Sequence, residues 1–313
     1  MSRMFLESMV SFDNAIPVKN DVLGEQCEIT VGNEKMTMFF PTKPSIKAIA
    51  EQIWYLTQPV SIKEDLHLNS KYWNDKWGYI MKASATHEII NADISCADII
   101  CNSSDFETSK ENFLSAISNW RHLLENVIIL RKKGSNLATS SVSNVNEGIE
   151  IFKYDGKDYQ RINNIHTFNI CASIKNDDEY IGRDELFDIL AKIDVNKKIK
   201  IEYQMLTDAY LARNHKNYRY ALIQALTAIE LSLNRMIYEH FDQSATDMNL
   251  GDKFKFLRVH DVCFPTKNPE QKIVHVRNVI FHVKDINVSI DQLNKTLGIV
   301  EKYLSTFSPD YFE

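Results

Sequence analysis

Four apolar stripes at helical spacing occupy the last third of the chain, and they limit its fold more than any other feature. The strongest runs through residues 219–241, where Leu222, Leu226, Ile229, Leu233 and Met236 step by four, three, four and three. That spacing is one face of an α-helix. Residues 204–216 predict a helix before it, with Leu206, Ala209 and Tyr210 on one side, and Asn217 marks the break between them. A loop with Gly251, Pro265 and Pro269 follows. Residues 270–285 predict a third helix with the stripe Ile273, Val276, Ile280 and Val283. Residues 290–307 predict a fourth, with Ile290, Leu293, Leu297, Val300, Leu304 and Phe307. Such stripes need burial, and four of them can bury one another as a bundle.

The first two-thirds carry a different pattern. Cys27 to Val31 and Met36 to Phe40 predict strands around a turn at Gly32-Asn33. Ser45 to Leu56 predicts a helix and His87 to Ile100 a strand. The capping box Thr108-Ser109-Lys110-Glu111 opens a long helix ending near Leu130. Residues 134–147, rich in Ser and Asn, predict an exposed loop. Strands follow at 149–154, 158–163 and 166–175, then a helix at 184–193. Tyr72, Trp73, Trp77 and Tyr79 crowd one segment, a pattern that suits a core cluster or a stacking platform. The expected fold class is α+β. A mainly antiparallel, β-rich domain covers residues 1–198 and a helical bundle covers 199–313, and a chain of 313 residues can give each a core.

Several function classes drop out. With nine glycines there is no GxxxxGK[ST] or GxGxxG phosphate loop. No apolar run reaches the roughly 18 residues of a membrane span. The start, Met1 to Glu7, has no long apolar segment, so no signal peptide and a cytoplasmic location are expected. The cysteines Cys27, Cys96, Cys101, Cys171 and Cys263 are scattered without CxxC spacing and are expected to be reduced and structural.

The chemistry gathers in Arg277-Asn278-Val279-Ile280-Phe281-His282, inside the third predicted helix. A histidine titrates near neutral pH and can take and return a proton. An arginine stays charged and presents a planar fork to phosphate oxygens. Together with Tyr218-Arg219-Tyr220-Ala221-Leu222-Ile223-Gln224-Ala225-Leu226-Thr227-Ala228-Ile229-Glu230, this segment resembles the HEPN-domain ribonucleases, particularly the Apea-like group. The resemblance covers the last third of the chain. It implies a dimeric, metal-independent endoribonuclease of an antiphage-defence, abortive-infection or toxin system. Arg277 and His282 would be catalytic, with the RNA 2′-OH as nucleophile and a 2′,3′-cyclic phosphate as product. No cofactor and no metal are expected.

Geometry sets a condition on that reading. At about 100° per residue, positions five apart point about 140° away from each other. Asn278 and His282 share a face, with His275 beside them. Either the helix breaks near His282 or a second subunit completes the site, and the resemblance favours the second. Asn278 would orient the histidine or cap its helix. Glu230 is either a carboxylate that fixes His282 or Arg277 or an exposed helix position. His275, His282 and Asp285 make a poor metal set, because two histidines seven apart lie two turns away from each other.

Charge argues both ways. Residues 199–313 carry 14 Lys+Arg against 14 Asp+Glu, and residues 1–198 carry 22 against 28, which is all of the net −6. A neutral domain can grip RNA only through a local basic cleft. Arg213, Lys216, Arg219 and Arg235 are candidate RNA-binding walls, or solvated helix faces. The expected partners are RNA and a second copy of the chain, with a regulatory protein or phage-derived trigger acting through residues 1–198. In the alternative reading the bundle is a silent dimerisation module and the first domain a ligand- or protein-binding sensor.

Overall fold

The computed structural model describes residues 5–31, 34–50, 54–59, 77–101, 106–134, 149–154, 159–161, 179–193, 196–282 and 287–313. The chain is mixed α+β, with an antiparallel sheet in its N-terminal part and helices in its C-terminal part. It divides into two units, Met1–Ile128 with Ser135–Asn196, and Ile129–Gly134 with Lys197–Glu313. The division falls after Asn196, where sequence predicts it after residue 198, and the short segment Ile129–Gly134 goes with the helices. Among the described residues no helix is long and apolar enough to cross a membrane.

The first unit is built on β1 (Phe5–Lys19), β2 (Gln26–Val31), β3 (Glu34–Phe39), β4 (Gly78–Ala83), β5 (Ile89–Cys101), β6 (Ile149–Tyr154) and β7 (Tyr159–Arg161). The sheet order is β2-β3-β5-β1-β6-β7, with β4 also on β5, and every pairing is antiparallel. β5 is central: β1 runs along one edge while β3 and β4 share the other. It is buried at every position except Ile90 and Ile100, so it does not show the in/out alternation of a half-solvated strand. Helices α1 (Ile46–Ala50), α2 (Phe106–Arg131) and α3 (Arg183–Lys192) complete the unit. α2 buries Ile117, Trp120, Leu124 and Ile128 at helical spacing. Arg121, 0% exposed on that face, donates from Nη1 to the Ser11 carbonyl at 3.0 Å. There the β1 register slips between Ser11 and Ile16, and a bulge leaves backbone groups outside the ladder.

Three expectations change here. β1 has no counterpart in the sequence reading, because the slip at Ser11/Ile16 breaks its alternation. The expected helix over 45–56 is short. α1 ends at Ala50, and the later part is extended, with Thr57 bridging Thr42 and Tyr55 bridging Tyr79. The pairing is reinforced by a 2.6 Å hydroxyl contact between Thr42 and Thr57 and by rings 5.3 Å apart. α2 starts at Phe106, so Thr108 lies inside the helix and is not its cap. Of the aromatic cluster, Trp77 is 3% exposed and packed, while Tyr72 and Trp73 lie outside the described residues, as do most of the 134–147 loop and the strand expected at 166–175.

The second unit contains α4 (Ile201–Asn214), α5 (Tyr218–Phe241), α6 (Leu250–Val259), α7 (His275–His282) and α8 (Ile290–Phe307). α5 is its axis and touches the other four. α6 corrects the loop expected around Gly251. The Asn249 side chain accepts from the Asp252 amide at 3.0 Å and caps the helix. Leu250, Phe254 and Leu257 then bury one face. A π-helical turn, Glu270–Val274, leads directly into α7. Ile129–Gly134 is clasped inside the unit. Arg213 donates to the Lys133 carbonyl at 2.7 Å, Asn214 to the Gly134 carbonyl at 2.5 Å, and Lys133 pairs with Glu301 at 2.6 Å.

Candidate functional site

The site residues come from two helices, α5 and α7. Asn217 caps α5, its side chain accepting from the Tyr220 amide. The stripe from Ala221 to Ile237 is buried, so the exposed turns of α5 keep a fixed direction. The π-helical turn buries Ile273 and α7 buries Ile280, 0% and 1% exposed. The two helices are tied at one end, where Arg219 donates from Nη2 to the Ile280 carbonyl at 3.2 Å. The start of α5 therefore lies beside the end of α7.

Arg277 lies four residues after Ile273 and three before Ile280, on the same side of α7, and is half-buried. Its guanidinium carbon sits 4.8 Å from the centre of the Phe281 ring, one turn further on. Its Nε is buried and has no hydrogen-bond partner, and among the described residues no carboxylate pairs with it. The ring favours a cation here by about 0.5–1 kcal/mol. It supplies no acceptor for the buried N–H.

α7 is described as far as His282, the last residue of the motif. The His282 side chain lies outside the described residues, as do residues 283–286 with Asp285. Asn278 and His275 are exposed on α7. Among the described residues no group of three or more His, Cys, Asp or Glu is arranged to hold a metal ion.

Glu230 has a different partner from the one expected. Its carboxylate takes the Lys253 ammonium of α6 at 2.7 Å. Lys253 is 1% exposed, and a lysine so buried needs a counter-charge. Glu230 also stands 11 residues beyond Arg219, about 16 Å along α5, away from the end of α7. Two of the basic walls are likewise committed elsewhere. Arg213 holds the Lys133 carbonyl and the Asn294 side chain and lies 5.3 Å over the Tyr210 ring. Arg235 pairs with Glu202 at 2.7 Å and Glu313 at 3.1 Å. Both are spent on folding. Lys216 is exposed in the turn before α5, and Arg219 is half-buried against α7. Of the four, these two stand at the Arg277 end.

Sequence reasoning missed Phe281 and Lys253. Phe281 was legible as the residue four after an arginine on a helix, a spacing at which side chains meet. Lys253 fell in a segment read as loop. Two thiols of the first unit are held protonated: burial pushes Cys27 up to about 12, and burial with the nearby Glu34 charge pushes Cys101 up to about 11.

No family model, no curated protein and no solved structure matches this chain.

Proposed function

We propose that the helical unit is a HEPN-like bundle acting as a metal-independent endoribonuclease, in which Arg277 binds the scissile phosphate and His282 moves the proton. The observation that carries this is Arg277 itself. A half-buried guanidinium with an orphaned Nε and no counter-ion among the described residues has a vacancy for an anion. The Nε itself is buried, so a phosphate would take the guanidinium by its remaining N–H groups.

The reaction uses groups that RNA already has. His282 takes the proton of the ribose 2′-OH. O2′ then attacks the adjacent phosphorus, the P–O5′ bond breaks, and the 5′ oxygen leaves with a proton returned to it. The products are a 2′,3′-cyclic phosphate and a 5′-OH. Arg277 stabilises the charge that builds on the five-coordinate phosphorus. Lys216 and Arg219 line the approach, and Asn278 orients the histidine.

Positions 277 and 282 diverge by about 140° on α7. A symmetric pair of bundles, with the exposed His275–Asn278 side of α7 turned into a shared cleft, resolves this by bringing Arg277 of one copy to His282 of the other. The first unit senses a regulatory protein or a phage-derived trigger. The antiphage-defence, abortive-infection or toxin role rests on the resemblance of residues 218–230 and 277–282.

The commitment of Arg213 and Arg235 to internal contacts favours a second reading, a silent dimerisation module with a ligand-binding sensor. One experiment separates the two. Purified protein is incubated with total RNA and EDTA, and fragment ends are analysed. The ribonuclease reading expects 2′,3′-cyclic phosphate ends that vanish in His282→Ala and Arg277→Ala. RNA left intact by a folded dimer supports the silent module, and cutting that requires Mg²⁺ places the chemistry elsewhere in the chain.

A further inference from the structure

We infer that Phe281, with the Arg277 guanidinium on its ring, is the seat for one base of single-stranded RNA, so that the proposed nuclease acts on an unpaired strand. This rests on the ribonuclease reading of α7.

Phe281 is 48% exposed, whereas its neighbour Ile280 is 1% exposed. The core takes the isoleucine and leaves the ring outside. The Arg277 guanidinium carbon lies over the ring, 4.8 Å from its centre. Arg277 is also the group with the vacancy for a phosphate. A phosphate bound there brings its own nucleotide within reach of the ring, with no further movement of the helix. Stacking on an aromatic side chain needs a base that has left its own stack. Bases inside a duplex have both faces covered, and side chains cannot enter the deep groove of A-form RNA.

The surroundings match that ligand in charge and shape. The unit is neutral as a whole, yet Arg219 is bonded to the Ile280 carbonyl, three residues after Arg277, and exposed Lys216 lies three residues before Arg219. Tyr220, next to Arg219, is 45% exposed and adds a second aromatic at that end. Cations interleaved with exposed rings compose single-strand grooves, where the rings tolerate any base because every base has a π-face.

The test uses the full chain and a labelled single-stranded RNA methylated at every 2′-hydroxyl, which the 2′-OH route cannot cut. Binding is read by fluorescence anisotropy, folding by circular dichroism and association by sedimentation. Phe281→Ala is expected to weaken binding about 5- to 100-fold, with fold and association unchanged. Phe281→Trp should keep wild-type binding, and Phe281→Leu, apolar but without a π-face, should behave as the alanine variant. A blunt-ended duplex of the same methylated RNA should bind weakly and equally to all four proteins. Equal strand binding by Phe281→Ala, retention by Phe281→Leu, or no strand binding by the wild type overturns the inference. So does loss of the dimer together with binding, which makes the ring a contact between copies. The two readings fail separately. If the expected binding pattern holds but unmethylated RNA is never cut, only the nuclease reading falls. If RNA is cut and Phe281→Ala leaves KM unchanged, only the seat falls.

Discussion

Arg219 donates from Nη2 to the carbonyl of Ile280 at 3.2 Å, joining the first turn of α5 to the last turn of α7. The bond is backbone-directed, so it restrains the course of the chain two residues before His282. Removing it frees the end of α7 without opening the core, since Ile273 and Ile280 remain buried. Arg219→Ala is expected to lower unfolding stability by about 1–2 kcal/mol and RNA cleavage by a larger factor. Urea unfolding and single-turnover kinetics measure the two. Cleavage that falls only as far as the folded fraction falls assigns Arg219 a purely structural role.

Arg277 should behave in the opposite way. Its Nε has no partner, so Arg277→Ala removes an unmet donor along with a cation–ring contact. Stability is expected to change by less than about 1 kcal/mol, while cleavage is lost. Arg277→Lys keeps the charge but not the fork, and should retain binding better than turnover. A marked drop in stability in Arg277→Ala would mean the guanidinium holds the helix rather than a phosphate.

Glu202 gives the helical unit an acid-sensitive contact. It is 1% exposed and bonded to Arg235 and to the Ser308 hydroxyl. Burial pushes its carboxyl up, but the hydrogen bonds and charge of Arg235 and the Ser308 hydroxyl more than reverse this and hold it below the usual range. Its folded value is depressed, so its contribution is present above the unfolded value of about 4.3 and is lost as pH falls below it. Glu202→Gln is expected to cost about 1–3 kcal/mol at neutral pH, since Arg235 keeps Glu313, and to flatten the stability profile below about pH 4. Denaturant unfolding across pH 3 to 7 tests this, and a wild-type profile already flat in acid would refute it.

Gly134 has no room for a side chain. Its φ is +60°, and an added Cβ would stand 2.2 Å from the Tyr210 Cβ. Gly134→Ala is expected to destabilise the protein by about 2 kcal/mol or more, from backbone strain and overlap together. Tyr210→Ala alone is also costly, because that phenol donates to Glu301 at 2.5 Å. Tyr210→Ala removes the ring carbon at 2.8 Å but keeps the Cβ at 2.2 Å, so the overlap stays in the double variant and thermal unfolding should reveal about the sum of the two losses.

The sequence by itself determined the elements that bury one regular face. The stripe from Leu222 to Met236 became α5, that from Ile290 to Phe307 became α8, and the runs near Cys27 and Met36 became the β2–β3 hairpin. In each, the period is carried by adjacent turns or residues and needs no distant partner to be legible. Tertiary structure decided the rest. β1 became a long strand because β5 pairs it on both sides of a register slip and β6 pairs its first part. α6 formed where Gly251 suggested loop, because Asn249 caps it and α5 receives its buried face. Which charges remain available was also a tertiary matter. Lys253 took Glu230, Glu202 took Arg235, and the Lys133 carbonyl took Arg213, all across gaps in sequence that no local period records. Arg277 was left without a counter-ion among the described residues, its guanidinium lying over the Phe281 ring.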